Sequence, residues 1–206
     1  DDRFGNYEAA YSFDGQNEFI EVATTNALEF NEGDFSIFCW INPSDQGWNL
    51  IPLVTKHGFD DGSWLFRIEN IEGAWHLNYE TDFPTLRYTA NTQLENIPWH
   101  FVGITKSGSD YTFYYNGIAD GTFTDSKSFF STSAIRFGGQ VNEAEWFNGY
   151  LDDIRIYNTA LPPELVRILF QEKGYETPEP VTTSTVTFNV NMNLYIGQGI
   201  FNPATD

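Results

Sequence analysis

Residues 35–41 read Phe35-Ser36-Ile37-Phe38-Cys39-Trp40-Ile41, with one small hydroxyl as the only polar interruption. Successive side chains of a strand point to opposite faces, and here neither face is polar. The run is therefore predicted to be a central strand covered on both sides. Large flat and β-branched side chains pack well on such pleated surfaces.

Working outward, similar short runs recur between Gly, Asn, Asp and Ser clusters. Residues 9–13 and 19–23 flank the turn Asp14-Gly15-Gln16-Asn17. Residues 50–55, 63–69, 74–80, 99–105, 111–115, 118–123, 134–137 and 147–157 complete the predicted strands. Asn116-Gly117 is the strongest hairpin signal, since both residues tolerate the positive φ of a type I′ turn. Near the end, Leu161, Leu165, Ile168 and Leu169 follow helical spacing. Pro162 and Pro163 stand at the first turn and Gly174 lies past the end, so one short helix is expected to cap the sandwich.

The composition agrees with this all-β reading. Of 206 residues, 41% are apolar and 17% aromatic, enough for a solid core. The formal net charge is −19, which repels phosphate backbones and argues against a nucleic-acid partner. The same charge attracts cations, although an acidic surface also serves solubility alone. Cys39 is the single cysteine, so no internal disulfide forms, and its apolar neighbours predict a buried, inert thiol. No run approaches the length of a membrane helix, and no membrane insertion is expected.

After residue 174 the composition shifts to Pro, Glu and Thr, which reads as a linker over 174–184. Alternation resumes at Val186, so 185–206 is expected to open a second β-sandwich, with 1–173 forming the first domain. The tail Val186-Thr187-Phe188-Asn189-Val190-Asn191-Met192, with Gly199-Ile200-Phe201-Asn202-Pro203, resembles modules appended to secreted proteins of polysaccharide-degrading bacteria. That resemblance implies a larger multidomain extracellular protein.

Three further stretches carry a resemblance of their own. They are Ala10-Tyr11-Ser12-Phe13-Asp14-Gly15 with Phe19-Ile20-Glu21-Val22, the segment Gly33 to Pro43, and Phe147 to Asn158 followed by Ala160-Leu161. Trp99 to Ile104 and Tyr115-Asn116-Gly117 lie between them in order. Together they resemble the laminin-G-like and pentraxin-like domains of the concanavalin-A-like lectin and glucanase superfamily. The resemblance implies a two-sheet antiparallel jelly-roll sandwich with one short C-terminal helix. It says little about function.

The same resemblance implies candidate sites. In the strand ending at Tyr157, Asp152 is expected to share a side with Ile154 and Ile156. In the family an Asp here helps hold a structural calcium ion, Ca2+; Asp14 is the candidate second side chain, and carbonyls near Gly33 are possible additions. The plainer alternative is that backbone N–H groups or a nearby Lys or Arg satisfy Asp152. Pentraxins carry a ligand-bridging calcium on two loops, and Asp60, Asp61, Gln140, Asn142 and Glu143 would be the matching donors. Against that stands the reading of two solvated acidic loops.

Sugars stack on aromatic rings flanked by polar groups. Trp48 falls in the polar loop 44–49 and is the candidate ligand-facing ring. Trp64, Trp75, Tyr79 and Trp146 are either further ring platforms or core. Trp75 and Tyr79 share one side of their strand, with His76 and Asn78 on the other.

Catalysis has little support. No Glu-x-Asp-x-Glu run exists to place paired carboxyls in a glucanase cleft, and His57, His76 and His100 stand apart. A non-catalytic lectin-like or adhesion module with structural calcium, secreted or at the cell surface, is the expectation. Its partner would be a polysaccharide or glycan, or else a protein met by a structural spacer domain. A glycoside hydrolase is the remote alternative.

Overall fold

The computed structural model describes residues 1–25, 28–30, 33–44, 47, 49–56, 62–81, 86–95, 97–127, 131–140, 145–172 and 193–196. Two antiparallel sheets face each other across an aromatic core. The first contains β1 (Tyr11–Asp14), β3 (Phe35–Pro43), β8 (His100–Ser107), β9 (Asp110–Tyr115), β10 (Ile118–Thr124) and β12 (Asn148–Tyr157). Its order is β1-β12-β3-β8-β9-β10, with β13 (Asn193–Ile196) also paired to β12. The second contains β2 (Ile20–Val22), β4 (Leu50–Lys56), β5 (Trp64–Ile71), β6 (Ala74–Thr81), β7 (Leu86–Gln93) and β11 (Ile135–Phe137). Its order is β2-β11-β4-β5-β6-β7.

The expected jelly-roll sandwich is therefore present, and the strand ending at Tyr157 zips against the earliest one, with Tyr11 opposite Leu151. Strand β3 is covered on both sides. Phe35, Ile37, Cys39 and Ile41 enter the core between the sheets. Phe38 and Trp40 point the other way, into a second cluster with Phe101, Tyr114 and Val166. Val166 comes from α1 (Pro163–Gln171), the expected capping helix; its Leu169 and Phe170, with Leu161 just before it, join the same cluster. Burial pushes the Cys39 thiol far above its usual range, so it is inert.

Local geometry follows from particular residues. Asn116 and Gly117 both hold positive φ, 48° and 77°, closing the β9–β10 hairpin as their sequence predicts. Gly103 of β8 lies opposite Phe38, where a Cβ would come within 2.0 Å of the ring. Only glycine lets that ring lie flat across the strand.

Two sequence expectations need correction. β7 has no counterpart among the predicted strands: it is a polar edge strand in which Leu86, Tyr88 and Ala90 alternate with Arg87 and Thr89. An edge strand has little apolar surface to betray it. The side assigned to Asp152 is also wrong. Leu151, Ile154 and Ile156 all enter the core, because the register shifts between Asp152 and Arg155 and Asp153 takes φ 46°. This β-bulge inverts the alternation, so Asp152 leaves on the outer side beside its cross-strand partner Trp40. The linker at 174–184 and the second module expected from 185 lie outside the described residues, apart from the backbone of β13.

Candidate ligand-binding face

The outer side of the second sheet is polar by alternation. In β5, Trp64, Phe66 and Ile68 point inward, leaving Arg67 and Glu69 outward. In β6, Leu77 and Tyr79 point inward, leaving His76, Asn78 and Glu80 outward. In β7, Tyr88 and Ala90 face the core and Arg87 and Thr89 do not. Register then aligns Arg67 with Asn78, Glu69 with His76, Asn78 with Thr89 and Glu80 with Arg87.

These cross-strand neighbours form one network. Arg67 Nε donates to Asn78 Oδ1 at 2.9 Å, and Arg67 Nη2 meets Glu80 Oε2. Asn78 Nδ2 donates to Glu69 Oε2 at 2.9 Å and to Thr89 Oγ1 at 3.2 Å. Arg87 Nε lies 2.9 Å from Glu80 Oε2, and Arg87 Nη1 lies 3.8 Å from Glu69 Oε1. Burial lowers the Arg67 pKa, against the pull of the Glu80 carboxylate. The row is graded: Arg67, Asn78 and Glu80 are buried, His76 and Glu69 half-buried, and Arg87 and Thr89 exposed. Two buried polar atoms in it have no hydrogen-bond partner among the described residues, Glu80 Oε1 and His76 Nδ1. Leaving such an atom unpaired costs about 1–3 kcal/mol.

Aromatic rings stand at the opposite edge of this sheet. Ile135 and Phe137 of β11 point inward, so Arg136 projects outward and meets Glu21 of β2 at 2.7 Å. The Arg136 guanidinium lies 4.2 Å from the centre of the Phe19 ring, and Phe19 stacks on Trp146 at 6.0 Å and 23°. A Cβ at Gly139 would fall 2.7 Å from the Trp146 ring, so glycine permits this seat. Phe19 is exposed and Trp146 half-buried.

The expected site residues are placed as follows. Trp48, Asp60, Asp61, Asn142 and Glu143 lie outside the described residues. Gln140 is fully buried, and its amide donates to Glu145 at 3.0 Å. Trp64 and Tyr79 are core, and Trp75 packs partly buried against it. Sequence reasoning put His76 and Asn78 on one side but missed Arg67, Glu69, Glu80 and Arg87. The signal available was the alternation of β5 and β6, although polar residues there read equally as a solvated face.

The calcium donor set that the resemblance implies does not fit this geometry. Asp14 pairs with Asn148, so it lies about 13 Å along the strand direction from Asp152. Its carboxylate is exposed and accepts from the Gln16 N–H at 2.9 Å. The Gly33 carbonyl accepts from Lys106 Nζ at 3.2 Å. Asp152 is buried against Arg3, whose Nη1 lies 3.5 Å from Asp152 Oδ2 and also contacts Asp153. The Asp153 N–H donates to Asp152 Oδ1 at 2.8 Å. Burial, and then the neighbouring Asp153 charge, push the Asp152 carboxyl up to about 6. The alternative of a nearby arginine and a backbone N–H thus describes Asp152. Among the described residues no group of three His, Cys, Asp or Glu side chains is placed to hold a metal.

A laminin-G family model, described as the concanavalin A-like lectin/glucanases superfamily, matches residues 14–167. The chain belongs to that superfamily. No curated protein matches the chain in sequence. Among solved structures, domain 4 of AbnA, an extracellular arabinanase from Geobacillus stearothermophilus solved with arabinotriose, is similar with a TM-score of 0.62. It is 17% identical, and the match covers 79% of this chain and 76% of that one. A pentraxin from Limulus polyphemus is similar at a TM-score of 0.56 and 16% identity, covering 74% of this chain and 80% of that one. A putative carbohydrate-binding protein from Bacteroides ovatus gives a TM-score of 0.59 at 16% identity, over 77% of this chain. The match there covers 45% of that protein, less than half its length. At these identities the likeness establishes the fold of this superfamily member and no more.

Proposed function

We propose that this domain is a non-catalytic glycan-binding module whose ligand lies on the outer face of the six-stranded sheet. One observation carries the reading: the outer face of β5, β6 and β7 holds one hydrogen-bonded polar row, buried at Arg67, Asn78 and Glu80 and reaching the surface at Arg87 and Thr89. Sugar hydroxyls are suited to such positions, and the Phe19–Trp146 pair offers ring surface on the same sheet. The arabinotriose complex and the carbohydrate-binding protein among the structural neighbours support a glycan partner. An extracellular setting is part of this reading.

Hydrolysis is not proposed. Two carboxyl groups must flank the scissile bond with room for sugar or water between them. Here Glu69 and Glu80 are instead linked through Arg67, Asn78 and Arg87. Affinity electrophoresis against a polysaccharide panel tests the proposal. Retardation by at least one polymer, weakened by substitution at Arg87, is expected, and unretarded migration on every polymer defeats it.

A protein-contact role is the second reading, favoured by a groove of about 440 Å3 beside α1. Tyr157, Leu161, Leu165, Ile168 and Leu169 line it, with Leu165 and Ile168 exposed. Sedimentation showing self-association that Leu165→Glu abolishes, together with no glycan retention, would favour it.

A further inference from the structure

We infer that the ligand of this face is a neutral glycan, bound through its hydroxyl groups, and that uronic- or sialic-acid-bearing chains are refused. The inference rests on the glycan-binding reading above and adds the chemical class of ligand.

The described cations on this face are Arg67, Arg87 and Arg136, and each already faces a carboxylate. Arg67 and Arg87 share Glu80 Oε2, Arg87 also approaches Glu69, and Arg136 pairs with Glu21. Glu145 adds a further negative field on Arg67. Three cations therefore stand among four carboxylates. At Arg67 and Arg87 a ligand carboxylate competes with the buried Glu80, whose charge would lose compensation, and at Arg136 it competes with the exposed Glu21. The chain's net charge of −19 opposes the approach of a polyanion from further away.

The buried end of the row is rich in acceptors. Glu80 Oε1 is a carboxylate oxygen, so it accepts and does not donate. His76 Nδ1, four residues and about 13 Å away along β6, accepts or donates according to tautomer. Both atoms are closed to solvent, so a ligand meets the row at its rim, where Thr89 and Arg87 are exposed and Glu69 is half-buried. A ligand carboxylate offers only acceptors, which Glu80 repels. Around these atoms, Glu69, Thr89 and Arg87 present hydroxyl-compatible groups toward the exposed rim. Carboxylates bridged by guanidinium groups fix the direction of the acceptors, which is how a neutral polyol is oriented without a net charge.

Affinity electrophoresis of the full chain tests this on two sets of polymers at low and at moderate salt. The neutral set is arabinan, xylan, galactan and laminarin. The acidic set is polygalacturonate, alginate and hyaluronan, with 3′-sialyllactose followed by calorimetry. Retardation by a neutral polymer that is insensitive to salt, with none by the acidic set, is the expected result. Arg87→Gln and Glu69→Gln, both at partly exposed positions, should each weaken that binding about tenfold with little change in melting temperature. Salt-sensitive retardation by an acidic polymer would overturn the neutral class while leaving glycan binding intact. Neutral binding undiminished in both variants would place the site elsewhere and overturn the inference. No retention by either set would remove the glycan-binding reading itself.

Discussion

The Arg3 guanidinium lies 4.6 Å from the centre of the Trp40 ring and carries the buried carboxylate of Asp152 beneath the N-terminal segment. It also meets Asp153, and Arg155 bonds Glu172 at the end of α1, so the first residues are tied to the bulge of β12. A guanidinium thus stands where the resemblance implied a calcium ion. Arg3→Gln would leave Asp152 and Asp153 buried without that cation, and a loss of about 3–5 kcal/mol is expected. Urea denaturation measures it. Chelator or added calcium should leave the melting temperature of the parent chain unchanged, and a rise with calcium would restore the metal reading.

Gly103 is constrained by the ring that crosses it. A Cβ there would lie 2.0 Å from Phe38 Cδ1 and 2.7 Å from the Ile37 carbonyl oxygen. Gly103→Ala is expected to cost about 1–3 kcal/mol or more through overpacking. Adding Phe38→Leu should recover part of the loss, since the two positions share one space. Recovery in the double variant is the decisive measurement.

Arg67 and Glu80 are both buried, so removing one partner alone is costly. Arg67→Met should destabilise by about 3–5 kcal/mol, because Glu80 then keeps only Arg87. Replacing both by apolar residues should recover most of that stability while abolishing glycan binding. The pair of outcomes separates a structural role for the network from a recognition role.

His100 supplies a pH dependence. Burial lowers its pKa from 6.5 to about 4. The unfolded chain therefore takes up a proton near pH 6.5 that the folded chain refuses until about pH 4. The contribution is fully present above pH 6.5 and is lost as pH falls toward 4, amounting to about 3 kcal/mol. His100→Asn should flatten this part of the stability profile relative to the parent chain, read from melts between pH 7 and pH 4.

Much of the fold was legible because it depends on local rules. The doubly apolar run at 35–41, the Asn116-Gly117 turn and the spacing of Leu161, Leu165 and Leu169 each name their element without tertiary information. The polar edge strand β7 was not legible, because only three of its residues lean on the core. The bulge at Asp152–Asp153 was not legible either. A left-handed aspartate leaves no mark on the apolar pattern, yet it reversed the side on which Asp152 leaves the sheet.

Residue order alone thus determined that this chain forms strands, which strands are covered on both sides, and where the hairpin and capping helix stand. These follow from side-chain alternation and turn chemistry over a few neighbours. Which polar residues meet was decided only in three dimensions. Arg67, Asn78, Glu80 and Arg87 come from three strands, and Arg3 reaches Asp152 across nearly the whole domain. Strand register and sheet order create those neighbours, and both are set by packing between residues far apart in sequence.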